Sequence, residues 1–138
     1  MKKVLIVEDE EFIRELYERA FCKAGYDVTL AIDGAEAENK ISQQIFDVIL
    51  LDIMLPKVTG IDVLIEIKKP ESKNKNTPVF LITNLGQDEI IKKAFKIGAE
   101  GFFLKAHLVP KDIVNEINNF FTLLDNNQVN PVPDPSKS

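Results

Sequence analysis

Four stretches of this chain set a polar side chain directly after an apolar run. Val48-Ile49-Leu50-Leu51 leads into Asp52, Val4-Leu5-Ile6-Val7 into Glu8 and Asp9, Val79-Phe80-Leu81-Ile82 into Thr83, and Phe102-Phe103-Leu104 into Lys105. Short apolar runs bounded by turn residues read as buried strands, so each polar group stands at a strand's carboxyl end. Pro56 bars further ladder bonds beyond Asp52, and Gly60 opens the next helix. An acid so placed caps something, pairs with something, or reacts. Open α/β sheets bind ligands along that edge, and acids grouped there would recruit a cation. Taken singly, each residue has an ordinary structural explanation. Glu8, Asp9 and Glu10 favour a helix N-terminus, Asp52 and Thr83 suit turn caps, and Lys105 suits a solvated surface.

The elements that must position these groups follow from periodicity. Strands are expected over residues 3–7, 26–31, 46–51, 77–83 and 101–104. Between them, Phe12, Ile13, Leu16, Tyr17, Ala20, Phe21 and Ala24 recur at helical spacing up to the stop at Gly25. A second helix is expected over about 35–43 after Asp33-Gly34, with Glu38, Asn39 and Lys40 leaving its apolar stripe thin. A third is marked by Ile61, Val63, Leu64, Ile65 and Ile67 and must end before Pro70. A fourth is marked by Ile90, Ile91, Ala94, Phe95 and Ile97 and closed by Gly98, and a fifth by Ile113, Val114, Ile117, Phe120, Phe121 and Leu124, with Pro110 in its first turn. Strands alternating with helices call for a parallel sheet with right-handed crossovers and helices on both faces.

With 138 residues, 45% of them hydrophobic and 28% charged, the chain reads as one globular domain over 1–124. From Asp125 to Ser138, prolines and asparagines offer nothing to bury, and this stretch reads as a flexible tail or linker. No apolar run is long enough to span a bilayer, which makes a cytoplasmic protein the default. The net charge of −5 argues against direct nucleic-acid binding, which needs clustered Lys and Arg. Cys22 excludes an intrachain disulfide and reads as core filler.

Taken together, Val4 to Asp9, Asp33-Gly34, Asp47 to Pro56, Gly60, Pro78 to Thr83, Gly98-Ala99 and Phe102 to Lys105 resemble the receiver domain of two-component response regulators, the CheY-like family. The resemblance implies a doubly wound (βα)5 sandwich, flavodoxin-like, with a five-stranded parallel sheet of order 2-1-3-4-5. That order makes the first and third strands neighbours, so Asp9 and Asp52 converge and repel unless a cation lies between them. It implies Mg²⁺, with Mn²⁺ as a substitute, held by Asp9, Asp52 and the Met54 carbonyl, and by Glu8 through water.

It further implies that Asp52 accepts a phosphoryl group from a phosphohistidine on a sensor histidine kinase or phosphotransfer protein. Lys105 would neutralise the phosphoryl oxygens and Thr83 would donate its hydroxyl to one of them. Phe102 reads either as a switch ring that enters space vacated by Thr83 or as plain core. The signal would leave through the fourth helix, fifth strand and fifth helix, toward a protein partner, an output domain or a second copy. Such a chain catalyses its own phosphorylation and dephosphorylation without being a conventional turnover enzyme.

Three residues depart from the family pattern. Ala106 stands where proline usually follows the lysine, which leaves the Lys105-Ala106 bond either trans or strained. Asn84 stands where a small residue usually follows the hydroxyl, and Glu38 where a helix is usually apolar. The first two are expected to modify phosphate lifetime. His107 reads as an exposed loop residue, and Lys92, Lys93 and Lys96 as a solvated helix face. A receiver-like interaction module with no phosphate cycle is the alternative. A flavodoxin is disfavoured because Glu8 to Glu11 would repel a flavin phosphate, and an aspartyl phosphatase of the haloacid dehalogenase type because Met54 replaces its second acid.

Overall fold

Four consecutive apolar residues leave a strand no face to offer water, so Val4 to Val7 must lie between two layers. The computed structural model describes residues 1–84 and 88–129. Its elements are β1 (Lys3–Val7), α1 (Glu11–Lys23), β2 (Asp27–Ala31), α2 (Gly34–Gln43), β3 (Val48–Asp52), α3 (Gly60–Lys68), β4 (Val79–Thr83), α4 (Asp88–Ile97), β5 (Gly101–Leu104) and α5 (Pro110–Val129). The strands pair in parallel in the order β2-β1-β3-β4-β5, as expected.

Strand side chains alternate between faces, and the alternation sorts the core into two halves. Leu5, Val7, Ile49, Leu51 and Leu81 pack beneath α2, α3 and α4. Val4, Ile6, Val48, Leu50 and Ile82 pack beneath α1 and α5. Each fully buried Leu or Ile contributes about 1.5–3 kcal/mol, enough to hold three central strands that have no solvent face. β3 and β4 are buried at every position, whereas β2 and β5, at the sheet edges, stay partly exposed.

Several boundaries have specific causes. Asp33 caps α2 by accepting a hydrogen bond from the Glu36 amide at 2.8 Å, and Thr59 caps α3 through Asp62 at 3.2 Å. Gly25 and Gly98 follow α1 and α4 with φ of +92° and +130°, a conformation that favours glycine. β4 starts at Val79, later than residue 77, because the Thr77 hydroxyl is engaged with Phe46 and Asn74 and Pro78 has no amide to donate. β3 reaches Asp52 because the Ile53 amide continues the ladder to the Ile82 carbonyl.

Cys22 is exposed and not core filler. Tyr17 and Phe21, four apart, take the inward face of α1, and Cys22 lies about 100° further round the helix. α2 packs with small residues, burying Gly34, Ala37 and Ile41 while Glu38 stays at its margin. α5 runs on to Val129, past Asp125 where the composition changes, and residues 130–138 lie outside the described residues. Among the described residues no helix is long and apolar enough to cross a membrane, and no peptide bond is cis, so Lys105-Ala106 is trans.

Candidate functional site

The sheet register brings the polar strand ends together. Val7 pairs with Leu51, Asp52 with Ile82, and Thr83 with Leu104, so the residues following β1, β3, β4 and β5 share one edge. The Lys105 amide donates to the Thr83 carbonyl at 2.9 Å, extending the ladder one step into the site.

Glu8, Asp9 and Asp52 each offer a carboxylate oxygen within 4.8 Å of the others. Glu8 is 0% exposed and Asp52 2%, while Asp9 faces solvent. The Lys105 ammonium lies 2.8 Å from Asp52 Oδ2, 3.1 Å from Glu8 Oε1 and 4.0 Å from Glu10 Oε1. Asp52 Oδ1 accepts the Met54 amide at 3.0 Å, and Glu8 Oε2 accepts the Glu10 amide at 3.2 Å. Among the described residues, Glu8 Oε1 has charge beside it but no hydrogen-bond donor aimed at it.

The electrostatics follow from burial and these contacts. Desolvation, reinforced by the negative charge of Asp52, pushes the Glu8 carboxyl up to about 7 despite Lys105. Burial opposes the charged form of Lys105, yet its hydrogen bond to Asp52 and the charges of Asp52 and Glu8 hold its pKa above the ordinary lysine range. Two buried acids and one ammonium leave an excess of negative charge at an all-oxygen donor set. That set, with its unsatisfied Glu8 oxygen, fits a hard divalent cation such as Mg²⁺.

The other expected site residues fall into place unequally. Thr83 is buried at the same edge, and its hydroxyl donates to the Asn84 carbonyl at 3.2 Å. Met54 contributes its amide to Asp52, and its side chain is exposed. Asn84 and Ala106 are exposed beside Thr83 and Lys105. Phe102 is 40% exposed and meets Phe95 of α4 edge-to-face at 6.2 Å, so it is not plain core. Its neighbour Phe103 takes the core position, stacked on Phe80 at 5.6 Å. His107 and the Lys92, Lys93 and Lys96 group are exposed, as expected.

Sequence reasoning missed Arg14, whose Nη1 donates to the carbonyls of Glu8 at 3.0 Å and Asp9 at 3.3 Å. No helical spacing signals it, because the guanidinium reaches main-chain oxygens that precede the helix. Gly60 was noted only as a helix start. A Cβ there would lie 2.4 Å from the Asp52 carbonyl oxygen, so α3 approaches the strand end as closely as backbone permits.

Comparison with known proteins places these observations in a group. The family model described as response regulator receiver domain matches residues 4–118. The chain is 34% identical over 118 residues to the chemotaxis protein CheY of Thermotoga maritima, covering 85% of this chain and 95% of that one. It is 38% identical over 112 residues to the probable transcriptional regulator ycf27 of Guillardia theta, covering 81% of this chain. The chain spans only 42% of that relative's length, and 56% of the response regulator SaeR of Staphylococcus aureus. Among solved structures, Vibrio cholerae CheY4 superposes with a TM-score of 0.79 at 30% identity, covering 86% of this chain and 98% of that one. The receiver domain of the Pseudomonas aeruginosa sensor kinase PA1611, which holds a magnesium ion in its active-site cleft, shares the fold with a TM-score of 0.76 at 24% identity. That match covers 86% of this chain and 95% of that one.

Proposed function

The chain belongs to the response regulator receiver domain family, and from that premise we propose that Asp52 accepts a phosphoryl group from a phosphohistidine. The observation that carries the reading is the convergence of Glu8, Asp9, Asp52 and Lys105 on one sheet edge, from three different strand ends. In this reading Asp9 and Asp52 hold Mg²⁺, or Mn²⁺ in its place, together with the Met54 carbonyl, and Glu8 acts through water. When bound, the cation supplies positive charge against the phosphoryl oxygens.

An Asp52 carboxylate oxygen attacks phosphorus in line, the O–P bond forms as the N–P bond breaks, and the donor histidine nitrogen leaves with the electron pair. The protein contributes position and charge more than covalent chemistry. The Met54 amide orients Asp52, and the Lys105 ammonium passes from carboxylate to phosphoryl oxygen with little movement. Thr83 gives up the Asn84 carbonyl and donates to a phosphoryl oxygen. Phe102 then leaves Phe95 for the space behind Thr83, which alters the surface made by α4, β5 and α5. A downstream protein, an output domain or a second copy reads that surface. Asn84 and Ala106, at the pocket mouth, set how long the acyl phosphate lasts.

The donor is a sensor histidine kinase or a histidine phosphotransfer protein. Phe12, Met54 and Val109 are large apolar side chains exposed on α1 and on the loops after β3 and β5, and they support contact with such a donor around the acids. In this reading the phosphoacceptor domain covers 1–124, α5 carries on from it to Val129, and the stretch beyond is a linker or tail.

Acetyl phosphate with Mg²⁺ tests the reading. Intact mass should rise by one phosphoryl group in the wild type and not in Asp52→Asn, whose folded NMR spectrum is retained. A wild type that neither gains mass nor shifts its spectrum with beryllofluoride would favour an interaction module without a phosphate cycle.

A further inference from the structure

α1 begins without the side-chain cap that α2 and α3 possess: Glu10 occupies the N-cap position and accepts nothing on its carboxylate from the first turn. The entry to this helix is held instead by the Glu8 carboxylate, which accepts the Glu10 amide at 3.2 Å, and by Arg14, reaching back from within the helix. One guanidinium nitrogen, Nη1, donates to two successive carbonyls, Glu8 at 3.0 Å and Asp9 at 3.3 Å. In an extended strand, successive carbonyls and successive side chains point to opposite sides. A single nitrogen can serve both carbonyls only where the backbone turns between them. That same turn lets two consecutive residues, Glu8 and Asp9, bring oxygens within 4.8 Å of one another and of Asp52.

We propose that Arg14 is a positioning residue for the cation site: its clamp on the Glu8 and Asp9 carbonyls sets the turn that aims both carboxylates at Asp52. The inference rests on the reading of those acids as cation ligands. Arg14 works on the main-chain oxygens, while Lys105 works on the side-chain oxygens of Glu8 and Asp52. The two cations therefore have separate tasks. Arginine suits this one because each terminal nitrogen carries two hydrogens at a fixed planar angle, whereas a lysine ammonium is strongly hydrated and free to rotate.

Charge and positioning predict opposite signs. Deleting a cation beside an acidic cluster would, by Coulomb's law alone, tighten Mg²⁺ binding. Loss of the clamp loosens it, by about tenfold if it acts like other supports behind metal ligands. The test is calorimetric titration of the full chain with Mg²⁺ alone, alongside thermal melts in chelator. Arg14→Ala should bind about tenfold more weakly, Arg14→Lys should fall between it and the wild type, and Arg19→Ala, an equal loss of charge on the exposed face of α1, should match the wild type. A purely structural role would lower the melting temperature without changing the affinity of the folded protein. Arg14→Ala binding as tightly as the wild type, or more tightly, overturns the proposal. If Arg14→Ala does not fold, Arg14→Lys decides: wild-type affinity there overturns it, and weaker binding supports it. A wild type that binds no Mg²⁺, or an Asp9→Asn variant that binds normally, instead sinks the underlying ligand assignment, and the clamp's function with it.

Discussion

Lys105 and Asp52 meet at 2.8 Å between ammonium and carboxylate, although they are 53 positions apart, Asp52 ending β3 and Lys105 following β5 on the far side of β4. The pair is nearly dry, with the lysine side chain 14% exposed and the aspartate 3%. A second buried acid, Glu8, shares the same ammonium at 3.1 Å. One cation thus keeps two buried carboxylates compatible with the fold.

Lys105→Ala leaves those acids buried without their counter-charge. Breaking a buried pair in this way costs about 3 kcal/mol or more. We expect a clear loss of stability in chelator, measured by urea unfolding, and partial recovery in Mg²⁺. Some phosphorylation of Asp52 should survive, while the beryllofluoride-induced NMR changes around Phe102 should vanish. A normal response would reduce Lys105 to a structural counter-ion.

Asp9→Asn separates binding from folding. Asp9 is exposed, so the melting temperature should hardly move, yet calorimetry should show weaker Mg²⁺ binding. Unchanged affinity would remove Asp9 from the cation site.

Gly60→Ala opposes two effects of different size. Helix propensity favours alanine by about 1 kcal/mol. The new Cβ, however, would lie 2.4 Å from the Asp52 carbonyl oxygen and 2.6 Å from Ile53 Cα, and both are backbone that cannot rotate away. Overpacking of this kind costs about 1–3 kcal/mol, so the variant should be destabilised and slower to take phosphate from acetyl phosphate. A more stable, fully active variant would show that the loop yields cheaply.

Asn74→Ala probes the opposite end of the sheet. Its fully buried side chain accepts from the Phe46 amide and the Thr77 hydroxyl and donates to the Ile41 and Gln44 carbonyls, all within 3.0 Å. Removing it strands several buried polar groups, so a loss of about 3 kcal/mol or more is expected by chemical unfolding. Mg²⁺ affinity of the folded protein should stay unchanged, since the site is at the other edge. A cost below about 1 kcal/mol would mean that water replaces the amide.

Alkaline titration should report the two tyrosines. Burial, with the charge of Glu8 next, pushes Tyr17 up to about 12, and burial, then Asp47, raises Tyr26, whose hydroxyl donates to Asn118 at 2.6 Å. The folded state therefore holds phenol protons that the unfolded state releases near pH 10. The resulting stability is complete below pH 10 and is lost as pH rises from 10 through 12. Ultraviolet difference spectra should show less tyrosinate at pH 10 in the folded protein than in the unfolded one. Ordinary titration near pH 10 in folded protein would show both rings to be wet.

Apolar runs and what ends them were sufficient to locate the strands, because a strand without a polar face has only the sheet interior to occupy. Asp52, Glu8, Thr83 and Lys105 were legible for the same reason, each being the first polar group after such a run, and Asp9 follows Glu8 directly. Their sharing of one edge followed from a strand order that resemblance implied and the register bears out. The helix boundaries were legible to within a few residues through Asp33, Pro70 and the two closing glycines.

Other properties needed the assembled tertiary structure, because they depend on where a side chain points once neighbours have claimed the space. Phe102 and Phe103 are adjacent and chemically identical, and only the pleat against Phe80 decides that Phe103 goes in while Phe102 goes out to Phe95. Cys22 looked like core until Tyr17 and Phe21 took the inward face. The sharing of Lys105 between Asp52 and Glu8, and the reach of Arg14 to two carbonyls, are distances across elements that no spacing along the chain encodes. By itself the sequence determined which groups reach the edge of the sheet. The tertiary structure decided which of them touch, because contact depends on three-dimensional packing, where each neighbour excludes another.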